Sequence, residues 1–204
     1  MNILAERFPT SVEINGKEYA LNTDFRVGLK TILAWEDPEL TAREKTLVML
    51  RLLYKVIPPD TQKACELAVY FLNCGEEKDD GEAAESPVRR VYSFTKDAKY
   101  IYSAIRQTHG IDLETVKYLH WWKFCYLFLD LDPDCMFQQM LHLRQQKQRG
   151  KLTKEEQAIY YRLRDILDLP QEKDAQTRSA EEEFMEKLLG SGVKGGGTDG
   201  QRLD

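Results

Sequence analysis

The sequence predicts a mostly α-helical protein: a compact multi-helix bundle with a small N-terminal β-hairpin and a flexible C-terminal tail. Three observations lead there. Apolar residues recur at helical spacing from Phe25 to Leu167, broken by Asp-Pro, Pro-Pro and glycine punctuation. Strict alternation of apolar and polar residues occurs in one place, SVEINGKEYAL, around an Asn-Gly pair. The composition, 42% hydrophobic over 204 residues, is enough for a sizeable core without disulfide or metal staples.

In the hairpin, Val12 and Ile14 alternate towards Asn15-Gly16, and Tyr19 and Leu21 alternate on the way back. Asn-Gly favours a type I′ turn because both central residues need positive φ, and this register sets Val12 opposite Tyr19. A lone hairpin is marginal in water, so this one is expected to pack on helices. Thr23 or Asp24 caps a helix to about Glu36, with Phe25, Leu29, Ile32 and Leu33 on one side, stopped by Asp37-Pro38. Thr41 with Glu44 is a capping box for a second helix carrying Leu47, Leu50 and Tyr54. Pro58-Pro59 breaks it. Asp60 or Thr61 opens a third, with Ala64, Leu67, Ala68 and Phe71, closing at Asn73-Cys74-Gly75.

EEKDDGEAAESP, residues 76–87, has no large apolar side chain and reads as a solvated acidic loop between two helical halves, the second being 88–170. Thr95 starts a helix to His109, with Tyr100, Ile101, Ala104 and Ile105 inward and Gly110 as its C′ residue. Asp112 then caps a helix predicted to run to Asp130. At about 100° per residue, Lys123 and Asp130 fall within about 20° of each other, so its polar stripe is narrow. A helix apolar over most of its circumference is a central, buried one. Trp121, Trp122, Phe124 and Phe128 are therefore expected in the core, with a partly exposed partner surface as the alternative, since tryptophan is also an interface anchor.

Asp134 is expected to cap the next helix, with Phe137, Met140 and Leu141 inside and LRQQKQRGK wet on all sides. Thr153 with Glu156 forms another capping box, leading an amphipathic helix of Ile159, Tyr160, Leu163, Ile166 and Leu167 that Pro170 closes. Residues 1–170 thus form the helical domain. Residues 171–204 read as a polar linker, a short amphipathic helix and a glycine-rich disordered end. In that helix Phe184, Met185, Leu188 and Leu189 line one stripe, and Glu181, Glu182 and Glu183 suit its positive N-terminal end. So short a helix needs something to pack against. The stripe is a candidate partner-binding element, with back-packing on its own body as the alternative.

Several function classes are disfavoured. With 34 acidic and 29 basic side chains, net charge −5, the chain is not expected to take nucleic acid as its main partner. The longest apolar stretch, Tyr118 to Leu131, is interrupted by His120, Lys123 and Asp130 and is too short to span a bilayer. MNILAERFPT lacks the pattern of a secretory leader, so reduced thiols in a cytosol are expected for Cys65, Cys74, Cys125 and Cys135. No cysteines pair as CxxC, and the three histidines fall on different elements, so no metal or other cofactor is expected. The basic run from Arg144 to Lys154 reads as a solvated helix end. No phosphate loop, nucleophile elbow or HExxH motif is present, so no catalytic residue is assigned and no enzymatic activity is expected.

NTDF, YKVIPPD, ACELAVYFLNCG, SFTKDAKYIYSAIRQTHGIDL and LHWWKFCYLFLDL occur in an order that resembles the bacteriophage gene-product-fifteen family, over roughly residues 8 to 150. That family belongs to long-tailed phages and prophages of Gram-positive bacteria. Its genes typically lie between those for the tail tube and the tape measure. The resemblance implies a tail-assembly chaperone in the host bacterial cytoplasm. Its partner would be the tape-measure protein, kept soluble before tube polymerisation, with recruitment of tail tube subunits and room for a homo-oligomer. A head–tail connector or other virion component is the alternative, and a host-directed inhibitor a second one. The family offers no catalytic residues to carry over.

Overall fold

The computed structural model describes residues 3–76 and 91–169. The acidic stretch 77–87 and the candidate partner-binding stripe Phe184, Met185, Leu188 and Leu189 lie outside the described residues, as does all of 171–204.

The predicted hairpin forms as strands β1 (Ser11–Ile14) and β2 (Lys17–Ala20), antiparallel, with Val12 opposite Tyr19. Asn15 (φ 52°) and Gly16 (φ 76°) both occupy the left-handed region that the type I′ turn demands. Ile14 and Tyr19 are buried, and Asn15 Nδ2 donates to Asp60 Oδ2 at 3.1 Å, tying the turn to the start of the third helix.

Helices α1 (Phe25–Glu36), α2 (Ala42–Leu53) and α3 (Thr61–Leu72) begin where their caps predict. Asp24 accepts from the backbone N–H of Arg26, Thr41 and Glu44 form the reciprocal capping box, and Asp60 accepts from that of Lys63. The buried faces differ in detail. Leu33 and Leu47 are exposed, whereas Gly28 and Thr31 on α1 and Lys45, Met49 and Leu53 on α2 are buried. α1 and α2 pack against each other, Gly28 is covered by the Trp121 ring, and Leu50 and Tyr54 are buried as the spacing predicts.

α4 (Ala98–His109) starts at Asp97, later than the predicted Thr95, and ends at Gly110 (φ 68°), whose N–H donates to Arg106 O. α5 (Trp121–Leu129) is the main correction: a helix from Asp112 to Asp130 does not form, and residues 112–119 are irregular, with a turn at 113–115. The cause is competition for backbone groups. Arg26 Nη2 donates to Leu113 O (2.8 Å) and Val116 O (2.9 Å), carbonyls that a continuous helix would use. Phe25 N–H donates to Leu119 O (2.8 Å) and Trp121 N–H to Thr23 O (2.7 Å), so 119–121 run as an extended partner of 23–25.

α6 (Met136–Gln148) is capped by Cys135, not Asp134, because Asp132 instead closes the local turn by accepting from the N–H of Asp134 and Cys135. The last predicted helix breaks at Leu163 into α7 (Lys154–Arg162) and α8 (Arg164–Leu167), leaving Ile159 partly exposed while Tyr160 and Leu167 are buried. The bend returns Leu167 to a small second core with Met140 and Tyr160.

One main core joins both halves of the chain: Phe25, Met49, Leu53 and Phe71 share it with Ile105, Trp121, Trp122, Phe124 and Phe137. Segment 20–25 lies at its centre. It pairs on one side with 53–55, through Asn22 N–H to Leu53 O and Lys55 N–H to Ala20 O, and on the other with 119–121.

Candidate functional site

The aromatic segment is the natural place to seek a site. His120 precedes α5 with extended backbone (φ −61°, ψ 140°), and its Nδ1 accepts from the Trp122 N–H at 3.1 Å, serving as the helix cap. A ring nitrogen that accepts a backbone N–H carries no proton, so Nε2 bears it and donates to Pro9 O at 3.0 Å. The rings of Phe8, Phe71 and Trp122 surround the imidazole. Burial holds its pKa below the ordinary histidine value, partly opposed by the hydrogen bond to Pro9. The arrangement fixes a neutral, structural histidine.

The four predicted aromatics are core. Trp121 and Trp122 are buried, and their indole N–H groups donate to Leu72 O (2.9 Å) and Phe71 O (2.7 Å) at the end of α3, where Phe71 O also accepts from the Cys74 N–H at 3.1 Å. The Trp121 ring lies flat on α1 at Gly28, where a Cβ would come within 2.2 Å of Cε3. Phe124 is buried between Trp121 and Phe25, with ring centroids at 5.7 and 5.1 Å. Phe128 is half-buried and continues the stack against Tyr92, Phe94 and Phe137. Trp121, Trp122 and Phe124 are thus enclosed, while Phe128 keeps part of its ring exposed.

The basic run holds a residue that the sequence reading misplaces. Arg144 is 3% exposed rather than wet, and all five of its N–H donors are used. Nη1 and Nη2 form a fork on the Asp97 carboxylate (2.7 and 2.9 Å), Nε donates to Leu167 O (2.6 Å), and the remaining N–H groups reach Val91 O and Ile166 O, each at 3.1 Å. Asp97 is itself buried and accepts from the Ser93 N–H at 2.9 Å. The signal was present: Arg144 follows Phe137 and Met140 on the inward stripe of α6. What could not be seen was the carboxylate 47 residues away that allows a cation there. Nearby, Asp168 accepts from Lys147 (2.8 Å), Tyr160 (2.6 Å) and Arg164 (2.7 Å), which together hold its carboxyl well below the usual range.

These clusters hold elements together, and Lys147 and Tyr160 of the Asp168 cluster also line a surface depression. Of the surface depressions, one is lined by Lys147, Gly150, Leu152, Gln157, Tyr160 and Tyr161, and another by Ser11, Val12, Glu13, Gly16 and Glu18. In the second the Ser11 hydroxyl donates to the Glu18 carboxylate across the hairpin, and in the first Lys147 Nζ donates to the Tyr160 hydroxyl at 3.1 Å. Among the described residues, no three His, Cys, Asp or Glu side chains converge as a metal site would require, and no helix is long and apolar enough to cross a membrane. His109 contacts Leu127 O and His142 contacts Glu156, so the three histidines remain apart. The apolar side chains offered to solvent are scattered: Leu4, Val56, Tyr118, Leu129 and Tyr161 are all more than half exposed.

Among the described residues, eight helices and an N-terminal hairpin, with Trp121, Trp122 and Phe124 in one core and Arg144 paired with Asp97 in the interior, define a mostly α-helical protein. The chain belongs to the family described as Bacteriophage Gp15 protein, which matches it over residues 4–169 and so marks it as a bacteriophage protein. That span extends beyond the motifs that first suggested the kinship and takes in α7 and α8, but stops before the C-terminal stripe. The chain matches none of the curated proteins and none of the solved structures compared with it.

Proposed function

We propose that this protein is a non-catalytic tail-assembly chaperone. It binds the phage tape-measure protein in the host cytoplasm before the tail tube forms around it, and it assists delivery of tube subunits. The family match over residues 4–169 carries this reading, because it follows the whole helical body rather than one motif. The commitment of Trp121, Trp122 and Phe124 to the core supports a division of labour. The body supplies a stable platform, and binding falls to exposed apolar side chains such as Val56, Leu129 and Tyr161 and to the stripe Phe184, Met185, Leu188 and Leu189. A tape measure is a long helical chain, and an apolar helical stripe meeting another helix or groove is a recurrent mode of recognition. The net charge of −5 leaves no general attraction to nucleic acid.

The test is co-expression with the tape-measure gene product of the same phage. Co-purification of the two, with more soluble tape measure than in its absence, is the expected result. Truncation after Pro170 should weaken that capture while leaving the melting transition intact. Purified virions decide against the alternative: an assembly chaperone is absent from them, whereas a head–tail connector or other virion component is present at stoichiometric level. A tape measure equally soluble and uncaptured without this protein would refute the reading.

A further inference from the structure

α6 and α7 meet at a turn through Gly150 (φ 65°) and are bridged by Lys147 with Tyr160 at 3.1 Å and His142 with Glu156 at 3.0 Å. The core beneath them is thin, with Met140, Tyr160 and Leu167 buried in it. On its outer side lies the depression lined by Lys147, Gly150, Leu152, Gln157, Tyr160 and Tyr161. At about 230 Å³ it is smaller than a small-molecule pocket of about 300–1,000 Å³, and it suits the side chains of a docked segment. Tyr161 offers it an apolar wall that is 72% exposed. Residues 147–154 carry Lys147, Arg149, Lys151 and Lys154, all exposed, and no carboxylate. Of the two acids on α7, Glu156 is held by the Thr153 cap and His142, which leaves Glu155 as the opposing charge. The described chain ends beside this surface: Asp168, bonded to Lys147 and Tyr160 of the depression, is followed by Leu169, the last described residue.

We propose that this depression docks the protein's own residues 181–189, EEEFMEKLL, with Phe184 and Leu188 against Leu152 and Tyr161 and the glutamates over the lysines. Two features select that occupant. The first is charge. Glu181, Glu182, Glu183 and Glu186 surround Phe184 and Met185 with carboxylates, opposite the cations of 147–154. Opposed charge of this kind orients a contact more than it strengthens it, and the apolar side chains supply the rest. Elsewhere in 171–204 no run of acids adjoins large apolar residues. The second feature is reach. The 11 residues 170–180 extend to at most about 36–40 Å, and a flexible chain of that length spans about 17–20 Å on average. Because the chain leaves from the wall of the depression, the segment is held near it at about millimolar effective concentration, so a weak contact suffices. A partner that takes up the same stripe displaces it from this site. The docking itself is independent of what the protein binds.

The experiment treats the full-length protein with a zero-length carbodiimide, separates monomer from cross-linked dimer, and maps the amide links in each. In the monomer, links from Glu181, Glu182, Glu183 or Glu186 to Lys151 or Lys154 are expected. Tyr161→Ser, and separately Phe184→Ser with Leu188→Ser, keep every charge and spare the buried core. Each should lower the yield of those links by at least about threefold, as the loss of an apolar anchor does. Links spread equally over Lys30, Lys63 and Lys99 would overturn the proposal. So would a yield that the serine variants leave unchanged, which would mark a collision of charges without docking. The same links confined to cross-linked dimers would also overturn it, with a second copy as the occupant.

Discussion

At the residue scale the structure turns on a few side chains with no room to move. Trp122 fills the core and gives its N–H to Phe71 O, so Trp122→Ala removes a large buried ring and one of the hydrogen bonds to that carbonyl, which keeps the Cys74 N–H. A loss of about 3–5 kcal/mol in urea unfolding is expected, a large part of an ordinary domain's stability. Gly28 is the complementary case. Alanine favours a helix over glycine by about 1 kcal/mol, but here its methyl would drive into the Trp121 ring at 2.2 Å. Gly28→Ala should therefore destabilise on balance, by about 1–3 kcal/mol for an overpacked core, and a variant melting above wild type would contradict the packing described. His120 makes a prediction about pH. Its folded pKa lies below its unfolded value, so the unfolded state takes up the proton first. The stabilisation is complete above about pH 6.5, the ordinary histidine value, and is lost as pH falls through that value towards the lowered one. The melting temperature should drop between pH 7.5 and 5.5, and His120→Gln should flatten the drop.

At the scale of elements, local chemistry and tertiary contacts divide the chain between them. Helices with their own caps, such as α2 and α7 with reciprocal boxes, start where the sequence places them. Segment 112–120 has a cap residue and apolar spacing, yet is not a helix, because Arg26 and residues 23–25 occupy its backbone groups. Asp112 turns instead to the N–H of Glu114 (3.0 Å) and the hydroxyl of Tyr102 (2.9 Å). Arg26→Ala should release Leu113 O and Val116 O. Amide exchange is expected to accelerate across 112–120 with little change in α2 or α3, at a cost of about 1–3 kcal/mol for hydrogen bonds from a charged donor. Unchanged protection in that segment would mean that the guanidinium does not hold it.

At the scale of the whole molecule, the Arg144–Asp97 fork fastens the second core to the main body. It gathers residues 91–97, α6 and the end of α8 around one fully satisfied cation. Arg144→Met leaves Asp97 buried without its counter-charge and strands three carbonyls, so a loss of about 3–5 kcal/mol is expected. Arg144→Lys should recover only part of it, since an ammonium cannot reproduce the planar fork. A methionine variant as stable as wild type would show that the clamp is dispensable.

How much could be read beforehand follows from the range over which each cause acts. The hairpin with its I′ turn, the starts of α1, α2, α3 and α7, the Gly110 stop and the burial of Trp121, Trp122 and Phe124 all rest on interactions within a few residues or on the sheer apolar content of a segment. Both are properties of sequence alone. The break between Asp112 and Trp121, the burial of Arg144 and the structural use of His120 depend on groups tens of residues apart. A backbone carbonyl or a carboxylate is worth little to a side chain until folding brings it within hydrogen-bond reach and removes the competing water. Only the tertiary structure decides those pairings.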